Sequence, residues 1–320
     1  MQRRQFSASL LAGASTLAFP FIARAQGKAI RIIVPFTAGS GSDEGARFYA
    51  EQISKALNQP IIVENKPGAS GLIAVRTVLA DPADGNTILL GSNSLIAVNP
   101  VMVKNLGYDP FKDLVPLHGL GISAAAFVVN SNSSYNSIND LTAKYKATGK
   151  PISVGNYSEG YRLVSEWLAQ DLGIKIIPVP YKGGAPMVTD LIGGQLDMAL
   201  NDITGIAPME KAKKLRVLAI TGNERDKMLP NIPTMKELGY PDFESYVWSS
   251  LSMKAGTSAD RMKELADAIS TVQKTDAAKA YQAKRAGTFL AKSLEELGEF
   301  QRSEYLRFKR VAERANIHPS

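Results

Sequence analysis

The chain has 320 residues, 45% of them hydrophobic and 21% charged, the balance of a soluble globular protein with room for one large domain or two medium ones. It contains no cysteine and two histidines, His118 and His318, which excludes disulfides, thiolate metal sites and cysteine nucleophiles and leaves little for a zinc centre or a histidine-based triad. The formal charge of +7 is not arranged as a basic stripe interleaved with aromatics, so neither a nucleic-acid partner nor a metal or other cofactor is expected.

Residues 1–25 read as an export signal. Arg3 and Arg4 form a positive start, 7–19 a short apolar stretch, and Ala23-Arg-Ala25 a small-residue cleavage site, with Gln26 as the expected mature N-terminus. The run Arg3-Arg4-Gln5-Phe6 fits a twin-arginine signal and an ordinary secretory signal equally. Cleavage would remove Arg3, Arg4 and Arg24, so part of the positive charge belongs to the signal. The apolar stretch is too short for a comfortable membrane span.

Strands and helices then alternate. Strands are predicted at 29–35, 60–64, 87–91, 126–130, 152–155, 175–180, 197–201 and 215–220. Helical spacing places Ala46, Tyr49, Ala50, Ile53 and Leu57 on one face of 43–57, and Tyr161, Val164, Leu168 and Leu172 on one face of 160–172. Most strands are near-continuous apolar runs, which suits a parallel sheet covered on both faces. Helices dominate from about 258, and Ser293-Leu-Glu-Glu296 reads as a capping box. The expected organisation is an α/β chain in two lobes, 27–123 plus 249–320 and 124–248. The chain would cross between them at Ala126–Val129 and Val247–Leu251, with a ligand cleft between the lobes.

Two strand-to-helix junctions carry the chemistry. In Val34-Pro-Phe-Thr-Ala-Gly-Ser-Gly-Ser-Asp43, Gly39 and Gly41 allow a tight turn, Ser40 and Ser42 offer hydroxyls, and the free N–H groups of the helix start favour an anion. Taken alone, the loop reads first as a plain strand-to-helix turn with Ser42 as N-cap. It is neither a Walker loop nor a dinucleotide fingerprint. Gly155-Asn-Tyr-Ser-Glu-Gly160 repeats the arrangement, with Arg162 one turn into the helix as a candidate carboxylate contact. Two helix N-termini facing one cleft suit a dicarboxylate. Gly91-Ser-Asn93, Pro180-Tyr-Lys-Gly-Gly184 and Asn201-Asp202 also follow strands.

Arg31-Ile-Ile-Val-Pro-Phe-Thr-Ala-Gly-Ser-Gly-Ser-Asp43 and Val63-Glu-Asn-Lys-Pro-Gly68 resemble motifs of the tripartite tricarboxylate transporter receptors, the Bug family. So do Asp84-Gly-Asn-Thr-Ile-Leu-Leu-Gly91, Tyr108-Asp-Pro-Phe-Lys-Asp113, Val179-Pro-Tyr-Lys-Gly183 and Asp190-Leu-Ile-Gly-Gly-Gln-Leu-Asp197. Leu215-Arg-Val-Leu-Ala-Ile-Thr-Gly222 and Leu229-Pro-Asn-Ile-Pro-Thr234 complete a match in family order over essentially the whole mature chain. The resemblance implies a two-lobed periplasmic binding protein fold of type II-like form, located in the periplasm. It implies a monomeric receptor that closes on a small organic acid and delivers it to a membrane permease of one large and one small subunit.

The ligand-binding residues the resemblance implies are Phe36, Thr37, Ala38, Gly39, Ser40 and Ser42 in the first loop, with backbone N–H groups of 38–42 at one carboxylate. Tyr157, Ser158, Glu159 and Gly160 stand in the second loop, with Tyr181, Gly183 and Asp202 nearby; Asn93 joins them as a candidate from its place after a strand. This chain has Gly39-Ser40 and Ser42-Asp43 where the family usually has Gly-Gly and Thr-Asp. It carries Tyr157, Glu159, Tyr161 and Arg162 where the family prefers small residues and His-Leu. Presentation of the ligand to a membrane sensor instead of a permease fits the same residues. A hydrolase or lyase using Asp43, Glu159 and Asp202 is the enzyme alternative. No nucleophile elbow follows a strand to support it.

Overall fold

The computed structural model describes residues 28–319; the expected export signal lies outside the described residues. In chain order the elements are β1 (Ile30–Val34), α1 (Gly41–Leu57), β2 (Ile61–Asn65), α2 (Leu72–Ala80), β3 (Thr87–Ser92), α3 (Asn99–Met102) and β4 (Leu114–Asn130). They continue with α4 (Ile138–Thr148), β5 (Ile152–Asn156), α5 (Glu159–Leu172), β6 (Ile176–Pro180), α6 (Gly184–Ile192), β7 (Met198–Asp202), α7 (Ile203–Lys211) and β8 (Leu215–Ile220). After β9 (Tyr246–Lys254) come α8 (Ala259–Lys274), α9 (Asp276–Ala283) and α10 (Leu294–Arg314). None of these helices is long and apolar enough to cross a membrane.

The apolar runs behave as strands covered on both faces. Ile30, Ile32, Ile33 and Val34 of β1 are fully buried, and α1 turns Ala46, Tyr49, Ala50 and Ile53 onto the sheet. Charged side chains fix the outer strand. Arg31 holds Glu64 of β2 through Nε at 2.6 Å and Nη2 at 2.9 Å, and Asp81 through Nη1 at 2.6 Å.

Strand order runs β2-β1-β3-β9-β4-β7-β5-β6, with β8 also on β4. The expected parallel sheet is therefore corrected to a mixed one. β1–β2, β1–β3, β5–β6 and β5–β7 are parallel, while β9 and β4 pair antiparallel with their neighbours. The physical reason is β9, which arrives from 221–245 without a helical crossover and runs against β3 and β4.

β4 has 17 residues and serves both halves of the sheet. Leu114–Ala124 pairs with β9, whereas Ala125–Asn130 pairs with β7 and β8. The change of partner thus falls at Ala124–Ala125 and just before Tyr246, beside the segments expected to cross. The first part of β4 escaped sequence reading because Pro116, Gly119, Gly121 and Ser123 break the apolar alternation. Irregularities between Pro116 and His118 and between Gly119 and Gly121 absorb them. The capping box expected at Ser293 is also corrected: its hydroxyl makes no cap bond. A reciprocal box forms instead between Ser137 and Asp140 at α4.

At the change of partner a side chain completes the ladder. Fully buried Thr221 accepts the Ala125 N–H through Oγ1 at 2.9 Å and donates its hydroxyl to the Ser245 carbonyl at 2.6 Å. Its N–H donates to Ala125 O and its carbonyl accepts from Ser245 N–H, both at 2.9 Å. Thr221→Val keeps the shape but orphans a buried donor and acceptor. Chemical denaturation should register a loss of about 1–3 kcal/mol, and Thr221→Ser should recover most of it.

His118 is buried in the first half. Its Nδ1 lies 2.6 Å from the Gly119 carbonyl and so carries the proton, leaving Nε2 to accept from Ser270 Oγ at 2.9 Å. Burial holds its pKa below the ordinary 6.5, opposed by the Gly119 bond. Below that pH the unfolded chain binds the proton and the folded chain does not, so stability falls as pH drops through the window. The slope of unfolding free energy between pH 7 and 5 should be shallower in His118→Gln; an unchanged slope would contradict this account.

Candidate functional site

The β1–α1 loop is built around Asp43 rather than around a vacant anion cradle. Ser40, not Ser42, is the N-cap of α1, its Oγ accepting the Asp43 N–H at 3.2 Å. The buried Asp43 carboxylate accepts from Gly39 N–H at 2.9 Å, Asn65 Nδ2 at 2.9 Å and Arg47 Nε at 3.0 Å. Burial pushes its pKa up, but these donors outweigh that and hold it below the ordinary carboxylate value. Ser40 N–H bonds to Thr37 O at 3.2 Å. Of the expected N–H grip over 38–42, Gly39 and Ser40 spend their donors on the loop itself. Gly41 and Ser42, the first residues of α1, have no partner inside the helix.

The β5–α5 junction has the same plan. Ser158 caps α5, its Oγ accepting from Tyr161 N–H. Arg162, a candidate ligand contact, is drawn into an internal network: Nη1 meets Glu159 at 3.1 Å and Nε meets Glu166 at 2.9 Å. Burial raises the Glu159 pKa, and the charge of Arg162 opposes the rise. Tyr157 Oη lies 3.0 Å from both Tyr161 Oη and Asn201 Oδ1, and burial raises the pKa of both tyrosines.

The two junctions meet. Phe36 packs edge-on against Tyr157 at 6.4 Å between ring centroids, and Ser94 Oγ bonds Ser158 Oγ at 3.0 Å. These contacts partition the cleft into two chambers that share Phe36, Ser92, Ser94, Tyr157 and Ser158. One chamber, about 170 Å³, is lined by Gly41 and Ser42 of α1, Asn93, Tyr161 of α5, Asp202 and Thr204 of α7, Trp248 of β9, and Arg285. The other, about 430 Å³, is lined by Thr37, the 67–71 turn, Glu159, Tyr181 and Lys182.

Of the residues singled out from sequence, Ser42, Asn93 and Asp202 face the first chamber, and Thr37, Glu159 and Tyr181 the second. The hydroxyl of Tyr181 donates to Asp190 at 2.8 Å. Asp202 caps α7, accepting from Gly205 N–H at 3.0 Å, and burial raises its pKa. Ala38, Gly39, Ser40, Gly160 and Gly183 line neither chamber. Gly160 instead lets the halves approach, since a Cβ there would lie 2.6 Å from Ser94 Oγ and 3.1 Å from Asn93 Nδ2. Ser94, Thr204 and Arg285 escaped sequence reading, and Trp248 was read only as part of a crossing segment. Ser94 adjoins a flagged residue, whereas Arg285 carries no local signal.

Two halves joined through β4, with paired strand-loop-helix junctions over a cleft, define a solute-binding protein of the two-lobed periplasmic type. A profile described as "Tripartite tricarboxylate transporter family receptor" matches residues 46–317, and the chain belongs to that family of binding proteins, which are not enzymes. It is 33% identical over 231 residues to Protein BugT of Bordetella pertussis, covering 71% of each chain. It is 31% identical over 290 residues to a UPF0065 protein of Bordetella bronchiseptica, covering 91% of this chain and 86% of that one. Among solved structures it resembles R. palustris Rpa4515 with adipate, at 27% identity and TM-score 0.86, covering 91% of this chain and 98% of that one. Periplasmic binding protein BugD follows at 26% identity and TM-score 0.84, covering 91% and 99%.

Gly39 has φ of 77°, and a Cβ built there meets nothing within 4 Å. Gly39→Val should therefore act through backbone strain, not by filling the cleft. Thermal or denaturant unfolding should detect a loss of about 1–3 kcal/mol. Gly39→Asn, better tolerated at positive φ, should lose less.

Proposed function

We propose that this receptor works in the periplasm after export, closing its two lobes on a small organic diacid and delivering it to a membrane permease of one large and one small subunit. The lobes in this reading are 27–123 with 249–320, and 124–248. The observation that carries the proposal is the convergence of the α1 and α5 N-termini, from opposite halves of the sheet, on one cavity. Free N–H groups and the positive helix end stabilise an anion at each pole. The strands, loops and contacts that bring them together are the scaffold, and the ligand supplies the missing charge.

Closure follows from differential affinity, because a ligand touching both poles binds the shut form better than the open one. The apolar walls between the poles, Phe36, Ile122, Val247 and Trp248, suit a methylene chain. Adipate, present in the related Rpa4515 structure, is the natural first probe. An affinity near 1 μM would correspond to roughly −8 kcal/mol.

The test is a thermal-shift and calorimetric screen of linear diacids, aromatic acids and amino acids against the mature chain. A diacid at one hundred times its Kd should stabilise the native state by about 2.7 kcal/mol. Gly160→Val, whose side chain would push against Ser94 and Asn93, should weaken that ligand at least about tenfold while the protein remains folded. Binding by none of these acids, or unaltered affinity in folded Gly160→Val, would remove the cleft from consideration.

A further inference from the structure

The C-terminal chain supplies a third connection across the cleft. Tyr281 of α9 stacks on Phe48 of α1, with 4.0 Å between centroids and 5° between planes. Beyond α9 the backbone runs beside β4, with Ile122 and Thr288 exchanging N–H···O bonds at 3.0 Å and Gly119 N–H reaching Lys292 O at 2.8 Å. Between these anchors the strap reaches the second half. Ala286 N–H donates to Thr204 Oγ1 of α7 at 3.0 Å, and Gly287 N–H to Asp226 Oδ2 at 2.9 Å. Arg285 thus stands on a segment fastened to both halves.

Its side chain is 20% exposed and lies over the Tyr281 ring, 4.8 Å from the centroid. Nη2 donates to the Gly41 carbonyl at 3.2 Å, and Nη1 meets Glu44 at 3.4 Å. Glu44 is 61% exposed, so that pair is weak. A guanidinium has five N–H donors, and two find protein acceptors among the described residues. Arg285 is the sole cationic residue lining the smaller chamber, and Asp202 the sole anionic one among the described residues. The two make no salt bridge among the described residues; Asp202 Oδ1 caps α7, and the charge of Arg285 opposes the rise that burial gives the Asp202 pKa. A fixed cation with spare donors therefore flanks the unpartnered N–H groups at the start of α1.

We propose that Arg285 is the charge-reading residue of this receptor, pairing its guanidinium with the ligand carboxylate held at the N-terminus of α1. The assignment rests on the carboxylate-binding reading of the cleft and deepens it. The two poles become unequal. The α1 pole demands a full negative charge, because a half-buried guanidinium gains most from an ionised, planar acceptor. The α5 pole presents Ser158 and Tyr161 to the same chamber, and no cation other than Arg285 lines it among the described residues, so the pole accepts a carboxylate or an ester there. Because the strap bonds to both halves, a carboxylate on Arg285 also ties the ligand to the segment that spans them.

The experiment is calorimetry of the mature chain and its Arg285→Gln and Arg285→Lys variants with adipate, its monomethyl ester and its dimethyl ester, at low and high salt. In wild type, adipate and the monoester should bind and the diester should not. Arg285→Gln should lose about ten- to hundredfold toward both acids and flatten the salt dependence of Kd, while Arg285→Lys should recover part of each. The free protein's melting temperature should stay nearly constant, because the strap is fastened through backbone groups. Wild-type binding of adipate with unchanged affinity or salt dependence in Arg285→Gln overturns the assignment and leaves the cleft intact as a diacid site. So does a monoester bound far more weakly than adipate, which would require charge at both poles. If wild type binds neither adipate nor any other diacid of the screen, the proposed function itself fails, and the role of Arg285 falls with it; if another diacid binds instead, the same ester series is run on that acid with the same outcomes.

Discussion

The molecule depends on how one strand keeps its backbone paired while changing neighbours. Every buried N–H and C=O of β4 needs a partner, yet Ala125 stands where β9 has ended and β7 begins. Thr221 answers this with its hydroxyl and its own backbone, which close the gap between Ala125 and Ser245. The join is narrow, polar and buried.

Several family motif residues serve the cleft indirectly. Glu64 is spent on Arg31, Asn65 on the Phe36 carbonyl and Asp43, and Asp43 on Gly39. Asp197 accepts from both the N–H and hydroxyl of Ser153 at the start of β5. These bonds hold the loops in shape before any ligand arrives, which lowers the cost of ordering them on binding. The charged groups of the second junction follow the same logic. Glu159 and Glu166 share Arg162, so carboxylates that would otherwise repel an anion are neutralised by a neighbour on the same helix.

How much could be read beforehand differs by element. The buried faces of α1 and α5 and the strands other than β9 and the start of β4 were legible from apolar spacing. The two junctions were legible as strand ends followed by Gly and Ser. The cap was misassigned by two residues because Ser40 and Ser42 are both competent and only the helix entry angle chooses between them. Gly39 looked like part of an anion cradle. Its N–H is instead used by Asp43, a bond visible only once the loop is folded. Residues 114–125 were obscured because glycine, proline and serine in a strand imitate a loop unless its bulges are known.

The sequence by itself determined the alternation of strands and helices, the two loop-helix junctions and the family. Each rests on periodicity or on motifs contained in a short stretch of chain. Tertiary structure decided which groups share a cavity. Arg285 touches Gly41 and Glu44 across more than two hundred residues, and Thr221 completes a ladder begun at Ala125. No local pattern encodes such meetings, because they depend on where separate elements come to rest when the sheet assembles. The mixed direction of that sheet was decided in the same way: the return of the chain through β9 lies between two segments whose own sequences read alike in either orientation.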